Sequence, residues 1–143
     1  MIVETVFIHR DVPTVYSAFF NLEYWKQALL DVLNVNVLYD DGIHQEFLMT
    51  VERPNGAETV RGIRFCTPNK RIELFQPLPP PMFSRMVGVW TFQEVNGGTE
   101  VKAERWFRLK DNSNNNSAED TAGEKLRVYL KKNLGLFKDK LEK

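Results

Sequence analysis

EDTAGEKLRVYLKKNLGLFKDKL, residues Glu119 to Leu141, is the one long helix that the chain offers. Leu126, Leu130, Leu134, Phe137 and Leu141 recur at steps of four, four, three and four, which lays one apolar stripe along a helix of 3.6-residue period. Thr121 followed by Glu124 reads as a capping box and places the helix start there. Lys125, Arg127, Lys131, Lys132, Lys138 and Lys140 fill the other faces and are expected in solvent. Nearly everything between Asn34 and Lys110 reads as strand. A sheet that long, with one main helix to cover it, must curl around that helix. The helix cannot fill the curl, so a ligand cavity is expected between the two.

Upstream of the helix, Asp111 to Ser117 is polar and low in complexity, which predicts a mobile loop. Thr99 to Lys110 alternates, with Val101, Ala103, Arg105 and Phe107 on one side. Asn96-Gly97-Gly98 closes it as a hairpin onto Met82 to Glu94, where Met86, Gly88, Trp90 and Phe92 share a face. Pro77, Pro79, Pro80 and Pro81 cannot donate to a ladder, so that segment reads as a loop or an edge. Arg71 to Gln76 is a short strand beyond Thr67-Pro68-Asn69-Lys70. Glu58 to Cys66 puts Val60, Gly62, Arg64 and Cys66 on one face, and Pro54-Asn55-Gly56 turns it back onto a strand with Phe47, Met49 and Val51 on one side. Asp40-Asp41-Gly42 turns that strand onto Val35, Val37 and Tyr39. Near the start, Ile2 to His9 is a first strand, Asp11 caps a helix with Pro13 in its first turn, and Asn21 restarts a second short helix carrying Leu22, Trp25, Leu29, Leu30 and Leu33. The order is strand, two short helices, six antiparallel strands and one long helix. That is an α+β layout, read as a single domain over residues 1–143.

Lysine plus arginine and aspartate plus glutamate are both 19, so the chain is neutral and offers no charge argument for nucleic acid or an anionic membrane as partner. Cys66 is the one cysteine, which excludes an internal disulfide and a zinc site of cysteine type and suits a reducing compartment. Met1-Ile2-Val3-Glu4-Thr5 lacks the features of a signal peptide, and no stretch approaches the roughly 20 apolar residues of a membrane span. A cytoplasmic protein is expected.

The chemistry-bearing patterns are few. His9 and His44 have no spacing to each other or to Cys66 that makes a metal site, and Gly97-Gly98 is a turn pair rather than a phosphate loop. No cofactor is expected. Trp25, Trp90, Phe20, Phe47 and Phe107 are large flat groups on inward elements, readable either as core or as the wall of a site. If the face of Arg64 is internal, a guanidinium points into the cavity as a fixed positive donor for a carbonyl or enolate oxygen. The opposite parity puts Arg61, Ile63 and Phe65 inward, and strand alternation leaves both open. Arg105 poses the same choice, with a surface ion pair as the favoured reading.

The arrangement resembles the START-like, helix-grip (SRPBCC) superfamily, and within it the polyketide aromatase/cyclases. Val12-Pro13 to Phe20 with Trp25 resembles that family's opening segment. Arg64, five residues before Asn69-Lys70-Arg71, stands where the family carries its cavity arginine. Met86-Val87-Gly88-Val89-Trp90-Thr91-Phe92, followed by Asn96-Gly97-Gly98-Thr99-Glu100-Val101, is the best match. The resemblance implies a seven-stranded antiparallel sheet curled around the long helix and an internal cavity. It implies a linear poly-β-ketone substrate, delivered on an acyl carrier protein, closed by regiospecific aldol condensation and dehydration to an aromatic ring in antibiotic or pigment biosynthesis. Arg64 would then face inward and hold the enolate oxygen as the catalytic residue. Trp25, Met86 and Trp90 would fold the chain, with Phe20, Phe47, Gly62, Gly88 and Phe107 completing the substrate-binding wall. The chain departs from the family at Val32, where some members carry a cavity tyrosine, at Gly62, where serine is common, and at Lys26, which follows the tryptophan in place of proline. Those departures leave proton transfer to water or to the substrate. A carrier of lipid, quinone or another hydrophobic ligand on the same fold is the alternative. A small-molecule sensor, closing the Pro77–Pro81 loop over its ligand, is a third.

Overall fold

A computed structural model describes residues 1–110 and 116–143. The elements run β1 (Ile2–Ile8), α1 (Val12–Phe20), α2 (Leu22–Ala28), β2 (Val32–Asp40), β3 (His44–Arg53), β4 (Gly56–Thr67), β5 (Arg71–Leu78), β6 (Phe83–Val95), β7 (Gly98–Leu109) and α3 (Asn116–Leu141). The seven strands form one sheet in the order β1-β7-β6-β5-β4-β3-β2, every neighbouring pair antiparallel. This is the helix-grip arrangement expected from the sequence. The turns follow the turn chemistry: Asn96 and Gly97 both take positive φ, +50° and +79°, which gives the two-residue β6–β7 hairpin its twist.

Local chemistry sets the joint between α1 and α2. Asp11 caps α1 by accepting from the Thr14 N–H at 3.2 Å. Asn21 ends α1 by donating its N–H to the Ser17 carbonyl and starts α2 by accepting from the Glu23 N–H at 3.1 Å. One residue therefore serves as both caps, and the two helices make a tight V.

The sheet bends where its pairing slips. Register shifts fall between Val32 and Asn34, Val37 and Tyr39, Arg61 and Ile63, and Phe83 and Arg85. The concave face closes on α3, whose Leu130, Leu134 and Phe137 are buried. Polar ties fix the helix against β1. Lys138 Nζ donates to the Phe7 carbonyl at 2.7 Å, Arg127 Nη1 donates to the Val3 carbonyl and pairs with Glu4, and Arg10 Nε donates to the Leu141 carbonyl at 2.6 Å. Arg127 and Lys138 are thus half-buried anchors of the helix, where the sequence pattern expected solvated charges.

Several expectations on boundaries are corrected. The helix α3 begins at Asn116, ahead of Thr121, so Thr121 is not its cap. The Thr121 hydroxyl donates instead to the Ser117 carbonyl one turn back, and Glu124 pairs with Arg127 at 3.8 Å. Asn116 and Ser117 are helical rather than loop, and the rest of the expected loop, residues 111–115, lies outside the described residues. α2 ends at Ala28, so Leu30 is 90% exposed and Leu33 belongs to β2. On β2 only Val32 and Val35 are buried; Val37 keeps the register of Val35, opposite Phe47, yet is 38% exposed on this edge strand, and Tyr39 lies beyond the second register shift. Pro77 lies within β5, where the β4–β5 register slips and no ladder N–H is needed from it.

Candidate functional site in the sheet–helix cavity

Between the concave sheet and α3 lies a cavity of about 440 Å³. Its apolar wall is made by Trp25 of α2, Phe47 and Met49 of β3, Val60 of β4, Leu74 of β5, Met86 and Trp90 of β6, and Leu130, Leu134 and Phe137 of α3. Polar groups interrupt that wall at Arg64 of β4, Arg105 of β7 and Asn133 of α3, while Arg53, Glu58, Gln76, Lys125 and Tyr129 also contribute to the lining.

Parity on β4 is resolved by burial. Val60, Gly62, Arg64 and Cys66 are inside, whereas Ile63 and Phe65 lie on the outer face, 39% and 46% exposed. Arg64 is 1% exposed and serves the fold first. Its Nη1 donates to the Phe19 carbonyl at 3.0 Å and its Nη2 to the Phe20 carbonyl at 2.8 Å, the last two residues of α1. The guanidinium therefore caps the carbonyl end of that helix, where the helix dipole favours a cation. Nε donates to Gln45 Oε1 at 2.9 Å, and Gln45 Nε2 in turn donates to the Phe20 carbonyl and to Asp40. Trp25 Nε1 shares the Phe19 carbonyl at 3.0 Å. Three of the five guanidinium N–H bonds are engaged by the described residues, which leaves two. The rings of Trp25, Phe47 and Trp90 stand 5.8–5.9 Å from the Arg64 guanidinium carbon. Burial pulls the group down to about 10, still protonated at neutral pH.

Arg105 is not in a surface ion pair. It is 6% exposed, its guanidinium lies over the Trp90 ring at 4.4 Å, and Nη1 donates to the Glu104 carbonyl at 2.8 Å. Burial lowers it to about 10 as well. Gly88, directly across the β6–β7 ladder, makes this possible, since a Cβ there would stand 2.8 Å from both Cδ and Cζ of Arg105. Gly62 has the same relation to Phe47: a Cβ would come within 2.7 Å of the ring. Asn133 is 9% exposed, and its Oδ1 is buried with no hydrogen-bond partner among the described residues.

Of the residues that the sequence singled out, Arg64, Trp25, Phe47, Met86 and Trp90 come together on the cavity wall. The others stand behind it. Phe20 stacks on Tyr16 at 5.8 Å, Gly62 and Gly88 make room for Phe47 and Arg105, and Phe107 packs edge-to-face on Phe83 at 5.4 Å. Asn133 is not among those singled out, and Arg105, for which a surface ion pair is the favoured of two readings from sequence, lies inside. The signal for Asn133 was an amide falling on the apolar stripe, one step of three from Leu130. No cluster of His, Cys, Asp and Glu among the described residues is arranged to hold a metal. His44, on the surface, pairs with Asp41 at 3.1 Å.

No protein-family model matches the chain, and no curated protein matches it. Solved structures match it by fold. StfQ, the di-domain aromatase/cyclase of the steffimycin biosynthetic pathway, superposes with a TM-score of 0.82 at 23% identity over 96% of this chain and 48% of its own. BexL, the di-domain aromatase/cyclase of the BE-7585A pathway, gives 0.85 at 24% identity over 99% of this chain and 49% of its own. The Zhui aromatase/cyclase from Streptomyces sp. R1128 gives 0.77 at 16% identity over 99% and 92%. The chain spans about half the length of the two di-domain proteins. It shares the helix-grip fold of these three structures. No helix among the described residues is long and apolar enough to cross a membrane.

Proposed function

We propose that the chain is a polyketide aromatase/cyclase that closes a ring in a linear poly-β-ketone held in its cavity. The observation that supports this most is the pairing of a largely apolar wall with two buried guanidinium groups, neither of which has a carboxylate partner within 4.0 Å among the described residues. Poly-β-ketones cyclise by themselves, so a wall that admits one folding supplies much of the catalysis by bringing two particular carbons together. Trp25, Phe47, Met86 and Trp90 are the residues that would impose that folding. In the aldol step a carbon between two carbonyls gives its proton to water or to the substrate itself, and the enolate carbon bonds to a ketone carbon. The ketone oxygen takes the proton back, and that hydroxyl leaves as water with a hydrogen of the adjacent carbon as the ring becomes aromatic. A guanidinium cannot serve as the base, because it does not give up its proton. Its part is to hold enolate and alkoxide oxygens in place, with the two free N–H bonds of Arg64 available for this. Delivery of the substrate on an acyl carrier protein belongs to the same reading.

Co-expression with a polyketide synthase that releases an unreduced chain tests it. A new aromatic product, absent without this protein, is the expected result. An unchanged mixture of spontaneous products contradicts it. Non-catalytic binding of a hydrophobic ligand is the second reading. It is favoured by the extent to which Arg64 is engaged by the fold and by the absence of hydroxyls at Val32 and Gly62. A hydrophobic ligand co-purifying on native mass spectrometry, with no aromatic product, would select it.

A further inference from the structure

We propose that Arg105 and Asn133 form a second anchor in the cavity, matched to a ligand that carries an anionic oxygen, either a carboxylate or the enolate of a 1,3-dicarbonyl. This deepens the ring-closing reading and rests on its binding half alone. The two residues come from opposite walls, Arg105 from β7 and Asn133 from α3, and both line the same cavity. Arg105 is a buried cation without a counter-ion among the described residues, and its one hydrogen bond to protein goes to the neighbouring Glu104 carbonyl. That contact does not neutralise it. A buried charge is costly unless it is paired, and an anionic ligand oxygen supplies the missing partner. Arg64 differs, since three of its donors already serve the α1 terminus and Gln45. Asn133 presents a buried amide oxygen with no partner among the described residues, which accepts from a ligand hydroxyl or enol. Trp90, stacked under Arg105, gives the Arg105 side of the cavity a flat surface for a conjugated ligand.

The test is calorimetric titration with three probes of similar size: 2-naphthoate, 1-phenylbutane-1,3-dione at alkaline pH, and neutral 2-naphthalenemethanol. A charge-assisted hydrogen bond predicts that at least one acid binds about tenfold or more tightly than the alcohol. A carboxylate source is indicated if naphthoate leads, a dicarbonyl source if the diketone does. Arg105→Met should abolish the preference while alcohol binding stays within about threefold, and its melting temperature without ligand should not fall, because an unpaired buried charge has been removed. Arg105→Gln gives the same reading if the Met variant does not fold. Asn133→Leu should weaken the diketone more than the alcohol. Equal affinity for all three probes, or an acid preference that survives in a folded Arg105 variant, overturns the anchor. An acid preference without an aromatic product on co-expression keeps the anchor and removes the enzyme; an aromatic product without the preference does the reverse.

Discussion

Arg64 holds a helix end and faces a cavity at once, and the first role dictates how its variants must be read. Arg64→Met leaves carbonyl and amide groups short of donors in a buried place, so a loss of about 2–4 kcal/mol is expected, or roughly 5–15 °C in melting temperature. Phe19 and Phe20 keep Trp25 Nε1 and Gln45 Nε2 as donors, which holds the loss to that range. A melt within 2 °C of the parent would mean that the α1 cap is not made. At Gly62 the expectation has the opposite origin. A serine there adds a hydroxyl, but its Cβ meets the Phe47 ring, so Gly62→Ser should cost about 1–3 kcal/mol, recovered when combined with Phe47→Leu. Thermal melts of the two single variants and the double variant check this. Alternation alone left the parity of Arg64 open, since Ile63 and Phe65 make an equally apolar face. What decided it was an arginine at a position shared with a known fold. Arg105 had no such help. The space that admits it is a glycine on the opposite strand, a relation between Gly88 and residue 105 that only the β6–β7 register reveals.

At the scale of elements, most of the chain was legible because patterns of period two and 3.6 were clean and turns carried Asn-Gly or Asp-Gly signatures. Errors gathered at ends. The start of α3 was placed at a capping box whose threonine bonds back into the helix instead, and α2 was run past Ala28 because Leu30 and Leu33 continue a helical spacing. The β2–β3 hairpin offers a test by pH. Asp41 accepts from the Ile43 and His44 N–H groups and from the His44 ring, which holds its carboxyl well below its ordinary 3.8. A depressed carboxyl contributes stability that is present above the ordinary value and lost as pH falls toward the folded one. Asp41→Asn should therefore lower the melting temperature at pH 7, and the gap to the parent should shrink at pH 2.5. A gap that is constant across that range would show that the ionised form is not what ties the hairpin.

For the molecule as a whole, length and element order were enough to expect a sheet wrapped on one helix, and the likeness to StfQ, BexL and Zhui supports that architecture at low identity. Function does not follow from the fold, which can house both chemistry and transport. It rests on the hollow between sheet and α3 being the place where a ligand sits. Leu130→Trp probes that hollow directly, because Leu130 is buried on α3 and lines it. In a filled core, added bulk costs about 1–3 kcal/mol or more. With about 440 Å³ in front of the residue, the indole has somewhere to go. The decisive measurement is calorimetric titration of 2-naphthoate and 1-phenylbutane-1,3-dione into Leu130→Trp beside the parent, with a thermal melt of each. A folded variant that melts close to the parent and binds both probes about tenfold or more weakly is the result expected. Unchanged probe binding in that variant would contradict an internal site.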